Sequence, residues 1–490
     1  MTASPQSSDR RAKIMATLGP ASDSRETIRE LLRAGLDVVR LNLSHGTHEG
    51  HRQTIRHVRE VAADEGRYVP VVLDLMGPRY RLGVFEGRLK LEAGARVRLG
   101  LEDEDVELPV EEGVLEHLRP GERLLVDNGL IELKVEECSP RVVSAQVETG
   151  GYVSSRKGLN LPDTQLPFTI SSKDDADIRF AVEQDVDYLA ASYVGAASHV
   201  QEIRQRVRRA GGVEIPLVAK LERSAAVDDL ENIIAASDAL MVARGDLGVE
   251  VPLHRVPVLQ KRIVDAGRRA GRPVIVATQM LESMIEQPRP TRAEANDVAN
   301  AVFDGADALM LSGETAAGKH PVAAVATMAR IMAEAEAYPA GRRAGLLDRF
   351  EEKQTESTER LASPEELQIP DMVATAAVHI AERPQVRWIV AFSQGGFTAR
   401  LISRHRPESP ILVFTNDDRV ARKIQLVWGV RPLHLEAEVE HHDEVVEVVD
   451  RQLLERGLAE PGEVIVVLMG DPIPAKPLTN LLRLHRIVER

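Results

Sequence analysis

Short apolar runs of strand length alternate with amphipathic stretches of helical period along most of this chain, which is how repeated βα units look in a sequence. Runs at 14–18, 36–43 and 68–75 open the series. Asp23 with Glu26 gives a capping-box spacing for the first helix, Gly35 closes it, and residues 51–65 read as the second. From 83 to 165 the texture changes to short strand-like runs with Gly and Pro turns, which predicts an inserted all-β domain. The βα pattern returns with a helix over 173–184 and strands over 186–192, 215–220, 239–243, 274–278 and 308–311. That makes about eight parallel-type strands, the number that closes a barrel. Ser237-Asp238-Ala239-Leu240-Met241 and Ala306-Asp307-Ala308-Leu309-Met310 resemble each other, through repeated βα units or through shared barrel packing.

Residues 340–369 are charged, lack a strand pattern and include Ala362-Ser363-Pro364, as a linker does. Beyond them, strands at 388–392, 411–414 and 464–469 with helices between suit a small doubly wound domain. The predicted division is a tail over 1–10, a barrel over 11–82 and 167–345, an inserted β domain over 83–166, a linker over 346–369 and an α/β domain over 370–490.

Composition narrows the function by exclusion. The chain is 43% hydrophobic and 28% charged, and no apolar run approaches the roughly 20 residues a bilayer requires, so a membrane protein is not expected. A formal charge of −14 repels phosphate backbones, and 3% aromatics offers few stacking platforms, so no nucleic acid is expected either. Cys138 is the single cysteine and cannot form an internal disulfide. With the polar start Met1-Thr2-Ala3-Ser4-Pro5-Gln6, the expectation is a cytoplasmic protein.

The candidate chemistry lies where the apolar runs end, because a βα barrel carries its active site at the carboxyl ends of its strands. In Arg40-Leu41-Asn42-Leu43-Ser44-His45, Arg40, Asn42 and Ser44 recur at period two and share a strand face. The third run ends at Asp74. Then come Lys220 and Glu222, again two apart, Arg244-Gly245-Asp246, Thr278, and Ser312 with Glu314. One such residue commonly just caps the next helix, whereas a set on one rim is a chemical site. Glu222 and Asp246 offer hard oxygen ligands for Mg²⁺, which takes one or two carboxylates plus waters and substrate oxygens. Gly245 lets backbone amides approach a ligand where a helix should start. Lys220 adds a compact charge beside the metal, and Arg40 and Arg81 add planar forks for oxyanions. Such a set fits a reaction that spreads negative charge over phosphoryl oxygens. Gly313-Glu314-Thr315-Ala316-Ala317-Gly318-Lys319-His320 nearly matches a P-loop, but His320 replaces the hydroxyl that would ligate Mg²⁺.

Together these residues resemble the pyruvate kinase family over nearly the whole chain. The likeness lies in Arg40-Leu41-Asn42-Leu43-Ser44-His45-Gly46, Ala219-Lys220-Leu221-Glu222, Met241-Val242-Ala243-Arg244-Gly245-Asp246, Ala277-Thr278-Gln279-Met280 and Leu311-Ser312-Gly313-Glu314-Thr315. Val126-Asp127-Asn128-Gly129, Ser155-Arg156-Lys157-Gly158 and Thr479-Asn480 add support. The resemblance implies a TIM (β/α)8 barrel with an inserted small β-barrel lid domain and a C-terminal α/β regulatory domain, assembled as a homotetramer. It implies transfer of the phosphoryl group of phosphoenolpyruvate to ADP with Mg²⁺ or Mn²⁺, followed by protonation of the enolate to pyruvate. Lys220 would stabilise the migrating phosphoryl, Arg40 would grip phosphate, and Glu222 and Asp246 would hold the metal. Gly245, Asp246 and Thr278 would bind the carboxylate end of the substrate. Thr278, Ser312 and Glu314 would serve proton delivery. Asn42, Ser44, His45, Arg81 and Lys173 match positions near the nucleotide phosphates.

Two departures from the family pattern carry expectations of their own. Where many members read Asp-Thr-Lys-Gly-Pro-Glu with the Glu linked to K⁺, this chain has Asp74-Leu75-Met76-Gly77-Pro78-Arg79. That resembles the K⁺-independent branch, with Arg79 standing in for the ion and Asn42, Ser44, Asp74 and Leu75 left as a vestigial site. In the C-terminal region, Ser393-Gln394-Gly395-Gly396-Phe397-Thr398 replaces a hydroxyl-rich effector loop. Its hydroxyls and amides suit one phosphate, as in a sugar monophosphate or AMP, and Phe397 in place of an Arg disfavours fructose 1,6-bisphosphate. The rival is a metal-dependent lyase of the pyruvate-aldolase type, which needs neither a lid nor a Lys beside the Glu.

Overall fold

The computed structural model describes residues 10–78, 80–110, 113–164, 167–211, 214–338, 364–435, 442–470 and 478–489. Eight parallel strands close a barrel: β1 (Lys13–Thr17), β2 (Val38–Asn42), β3 (Val71–Asp74), β4 (Tyr188–Ala191), β5 (Leu217–Leu221), β6 (Ala239–Ala243), β7 (Val274–Ala277) and β8 (Ala308–Leu311). Their near-continuous apolar sequences follow from burial on both faces. Inward residues such as Met15, Val72, Met241, Ile275 and Met310 fill the barrel, and the outward ones pack under the helices.

Carboxylates order the amino-terminal end of this barrel. Asp37, Asp187, Asp238 and Asp307 each stand directly before an even-numbered strand and accept the backbone N–H of a residue in the odd strand that precedes it. The bonds are Ile14 N to Asp37 at 2.8 Å, Val71 N to Asp187 at 2.8 Å, Leu217 N to Asp238 at 2.9 Å and Val274 N to Asp307 at 2.9 Å. The likeness between 237–241 and 306–310 is therefore a shared task, performed four times around the barrel. Each carboxylate also takes an arginine: Arg10 on Asp37 at 2.6 Å, Arg59 on Asp187 at 2.8 Å, Arg204 on Asp238 at 2.8 Å and Arg406 on Asp307 at 3.0 Å.

Between β3 and the helix Ser172–Glu183 the chain builds the all-β insert, a six-stranded sheet and a two-stranded ribbon around a core of its own that includes Leu82, Leu99, Leu124 and Leu133. Leu82 pairs with Val110 and Arg81 with Gly158, so insert pairing already starts at 81 rather than at the expected 83.

The C-terminal sheet has five strands: β9 (Val386–Phe392), β10 (Ile411–Thr415), β11 (Val430–His434), β12 (Val464–Met469) and β13 (Leu481–Arg486), in the order β11-β10-β9-β12-β13 with β13 antiparallel. Three were expected from sequence. β11 and β13 are the two edges, where a Pro432 or an alternation of Leu with Arg and His is tolerated but gives no apolar run. The helix Pro364–Ala381 crosses the expected linker end at 369, and residues 339–363 lie outside the described part. This domain docks on the amino-terminal end of the barrel. Arg422 reaches Asp187 at 2.7 Å, Arg406 reaches Asp307, Lys13 donates to Val430 O at 2.7 Å, and Leu426 enters the barrel-interior cluster. Among the described residues, no helix is long and apolar enough to cross a membrane.

Candidate active site

At the carboxyl rim, the end of β3 supplies Asp74, buried to 1% exposure. Arg40, on the neighbouring β2, donates from Nε to Asp74 Oδ2 at 2.8 Å and from Nη1 to Thr17 Oγ1 at 2.9 Å. Lys220, on β5, lies 3.3 Å from the other Asp74 oxygen and 2.7 Å from Glu222 Oε1, and it donates to Ser192 Oγ at 2.7 Å. Ser192 in turn donates to Leu75 O at 2.7 Å. The two-residue spacing of Lys220 and Glu222 thus does what a strand should, placing both side chains on one side. Glu222 Oε2 accepts the Tyr193 N–H at 2.7 Å.

The charges follow from this geometry. Burial opposes the Lys220 ammonium, yet Asp74 and Glu222 outweigh it and hold the pKa above the ordinary lysine value. Burial likewise opposes ionisation of Asp74, and Lys220 and Arg40 overcome it, so its carboxyl sits below the usual range. Glu222 goes the other way, raised first by burial, with the Asp246 charge adding to the shift against the pull of Lys220. Glu222 and Asp246 are hard oxygen donors of the kind that suits a divalent cation. Among the described residues no cluster of three or more His, Cys, Asp or Glu gathers to hold a metal. An ion that completes its shell with water and substrate oxygens needs only one or two protein carboxylates.

Asp246 lies in the first turn of the short helix Arg244–Glu250 that follows β6. The Gly245 N–H, expected to face a ligand, donates here to Thr278 Oγ1 at 2.8 Å, and the Thr278 hydroxyl donates to Ala277 O at 2.6 Å. Thr278 has φ of 69° and Gln279 of 53°, left-handed conformations that cost a β-branched residue about 1–3 kcal/mol. Arg244 holds them in place. Its Nη2 donates to Thr278 O at 2.7 Å and to Gln279 O at 3.3 Å, while Asp297 anchors its Nη1 at 2.8 Å. Glu314 is buried and occupied by backbone, accepting from Ser312 N at 2.7 Å and Leu281 N at 3.1 Å, which ties the end of β8 to the loop after β7.

The remaining predicted residues separate into three places. β2 ends at Asn42, and Ser44 lies in the following turn with its N–H on Asn42 Oδ1 at 3.1 Å, so the shared strand face stops at Arg40 and Asn42. His45 O accepts from His51, and Lys173 donates to Leu43 O at 2.7 Å while pairing with Asp177 at 2.6 Å, which joins this turn to the helix Ser172–Glu183. Arg81 stands at the insert hinge, with Nη1 on Arg156 O at 3.1 Å. In the C-terminal domain, Ser393 directly after β9 and Thr398 in the following helix Phe397–Ser403 are both buried, and Thr398 Oγ1 meets Thr479 Oγ1 at 2.7 Å. Arg79 lies outside the described residues. The near-P-loop folds as a four-residue helix, Gly313–Ala316, followed after a break by the helix Pro321–Ala337.

Sequence reasoning passed over Thr17, Ser192, Tyr193 and the support role of Arg244. Ser192 ends an apolar run, so the strand-end rule that found the others applied to it too.

Comparison with known proteins gives one answer throughout. The family model described as pyruvate kinase, barrel domain, matches residues 9–325, and that described as pyruvate kinase, alpha/beta domain, matches 371–485. A pyruvate kinase of Agrobacterium vitis is 42% identical over 97% of this chain and 98% of its own, and one of Corynebacterium efficiens is 42% identical over 98% of each. The crystal structure of a pyruvate kinase from Cryptosporidium parvum superposes with a TM-score of 0.90 at 32% identity, covering 99% of this chain and 98% of that one. The lyase alternative gains no support.

Since Arg244 braces both strained residues on their carbonyls, Arg244→Met is expected to lower kcat/KM by about 10²-fold, as small displacements of positioning groups do. Steady-state kinetics with an unchanged kcat/KM would show that the strained loop does not position substrate.

Proposed function

The chain belongs to the pyruvate kinase family, and we propose that the rim around Asp74, Lys220 and Glu222 is where it acts. It is a phosphotransferase that moves the phosphoryl group of phosphoenolpyruvate to ADP, and like its family it depends on a divalent metal ion. The observation that carries the site assignment is a buried ammonium, Lys220, 2.7 Å from Glu222 and charge-balanced by Asp74.

Glu222 and Asp246 would hold Mg²⁺, with Mn²⁺ as a substitute. Bound there, the ion would offset charge on the phosphoryl and enolate oxygens. Lys220 would exchange its bond to Ser192 for the migrating phosphoryl group, where a fixed cation favours the transition state over the ground state. Arg40, oriented by Asp74 and Thr17, would grip the same phosphate from β2. The Gly245 N–H and the Thr278 hydroxyl, now bonded to each other, would part to take the substrate carboxylate. Protonation of the enolate would fall to Thr278 or Ser312, at the ends of β7 and β8. Glu314 serves as the brace that sets Ser312, because both its oxygens are engaged by backbone N–H groups. Asn42, Ser44, His45, Lys173 and Arg81 would face the nucleotide phosphates between barrel and lid. Lid closure would exclude water so that transfer outruns hydrolysis.

Asp74 Oδ2 is already taken by Arg40 and Oδ1 by Lys220, which leaves little charge for a monovalent cation. With Arg79 in place of the family Glu, this supports a reaction independent of K⁺. The loop from Ser393 through Gln394, Gly395, Gly396 and Phe397 to Thr398 follows β9, next to β12 at the switch point of the C-terminal sheet, where open α/β sheets take ligands. That favours a phosphorylated effector, a sugar monophosphate or AMP. Exposed Leu253 and Val258 beside the barrel and Leu484 on edge strand β13 are apolar positions that a homotetramer would cover. A cytoplasmic location fits this chemistry.

Two measurements test the reading. Lys220→Met is expected to lower kcat by about 10²–10³-fold in a coupled assay for pyruvate, the scale for losing a charge that acts on the transition state, and unchanged turnover would remove Lys220 from the mechanism. Activity at constant ionic strength is expected to be equal in Na⁺, K⁺ and tetramethylammonium salts, and strong activation by K⁺ alone would restore the monovalent site.

A further inference from the structure

The insert returns to the barrel through residues 159–164, and this short stretch is fastened to the two elements that carry Glu222 and Asp246. Asn160 Nδ2 donates to Glu250 Oε1 at 3.1 Å, and Glu250 lies four residues beyond Asp246 on the helix Arg244–Glu250, hence on the same face. Arg223 and Ser224, the two residues after Glu222, donate to Thr164 O and Pro162 O, each at 3.2 Å.

Between these attachments lies a cleft of about 20 Å³, room for about one water. Pro78, Tyr80, Asn160, Tyr193, Arg223 and Glu250 line it. Glu250 is 5% exposed, yet its Oε2 finds no hydrogen-bond partner among the described residues. Leaving a buried polar atom unpaired costs about 1–3 kcal/mol, and more if it is charged. Burial accordingly raises the Glu250 carboxyl above its ordinary value, against the hydrogen bond from Asn160 and then the charge of Arg223, which both pull it down. The Arg223 guanidinium thus lines the cleft that holds the unpaired oxygen while one of its nitrogens is committed to a lid carbonyl.

We propose that Glu250 is a positioning residue for phosphoryl transfer: through Asn160 it pins the lid return, and on lid closure its free oxygen takes the Arg223 guanidinium. Closure moves the Thr164 carbonyl, releases Arg223 into the cleft and joins the residue beside Glu222 to the helix that bears Asp246. Lid position and the spacing of the two carboxylates are then set in one movement, and the arrangement in which Thr164 O holds Arg223 carries an unpaired buried oxygen that favours the exchange. This rests on the assignment of Glu222 and Asp246 made above.

Glu250→Gln keeps the acceptor for Asn160 and removes the charge, while Arg223→Met keeps the length and removes the cation. Each is expected to lower kcat by about tenfold with the KM for phosphoenolpyruvate within about twofold, and the double variant is expected to fall no further. Hydrogen exchange over residues 159–164 is expected to slow when Mg²⁺, phosphoenolpyruvate and ADP are added to the parent, and not to slow in either variant. Losses that add in the double variant, or ligand-induced protection equal to the parent in both single variants, would overturn the proposal. Glu222→Gln is the control, because metal-dependent activity surviving in it would count against the ligand assignment rather than against the latch.

Discussion

Arg40 and Lys220 are two cations buried beside one another, and the rim exists only because a buried carboxylate, Asp74, lies between them. The Arg40 charge opposes the Lys220 ammonium, as like charges do where water cannot screen them, before the cost of removing either from water. Asp74 offsets that repulsion from β3, and Glu222 adds a second negative charge from the end of β5. The cost is accepted because an ammonium and a guanidinium held without solvent are ready-made donors for a phosphoryl group. Replacing the ion pairs with apolar side chains of similar volume would stabilise the barrel and, on the proposed reading, would leave nothing to meet the substrate.

The opposite end of the barrel repeats the same device for another purpose. Asp37, Asp187 and Asp307 each precede a strand that leads to the rim, β2 carrying Arg40 and the other two running into Ser192 and Ser312. Arg422 and Arg406 of the C-terminal domain bind two of these carboxylates, and Gln425 approaches the third at 3.4 Å. The docked domain therefore holds three even strands by their amino-terminal ends. Each is only four or five residues long, so a shift imposed at one end has little chain in which to dissipate.

Much of this was legible in the sequence because barrel strands announce themselves twice, by an apolar run and by the polar residue that ends it. Lys220 with Glu222, Asp74, and Thr278 were found that way. The edge strands β11 and β13 were not, since an edge need not be apolar on both faces. Ser44 was placed on the strand because period two says where side chains point but not where a turn begins. Ser192 and Arg244 escaped for a different reason. Ser192 ends an apolar run as the others do, but its role, like that of Arg244, is a contact with residues distant along the chain, which a local pattern does not spell out. The similarity of 237–241 and 306–310 was visible, but its meaning lay in hydrogen bonds to neighbouring strands.

The account turns on Glu222 and Asp246 serving one ion beside Lys220. Titration of Mn²⁺ by electron paramagnetic resonance, without substrate or nucleotide, reads this directly. One Mn²⁺ per chain is expected in the parent, with Kd raised at least about tenfold, some 1.4 kcal/mol, in both Glu222→Gln and Asp246→Asn. Undiminished binding in either variant would contradict it.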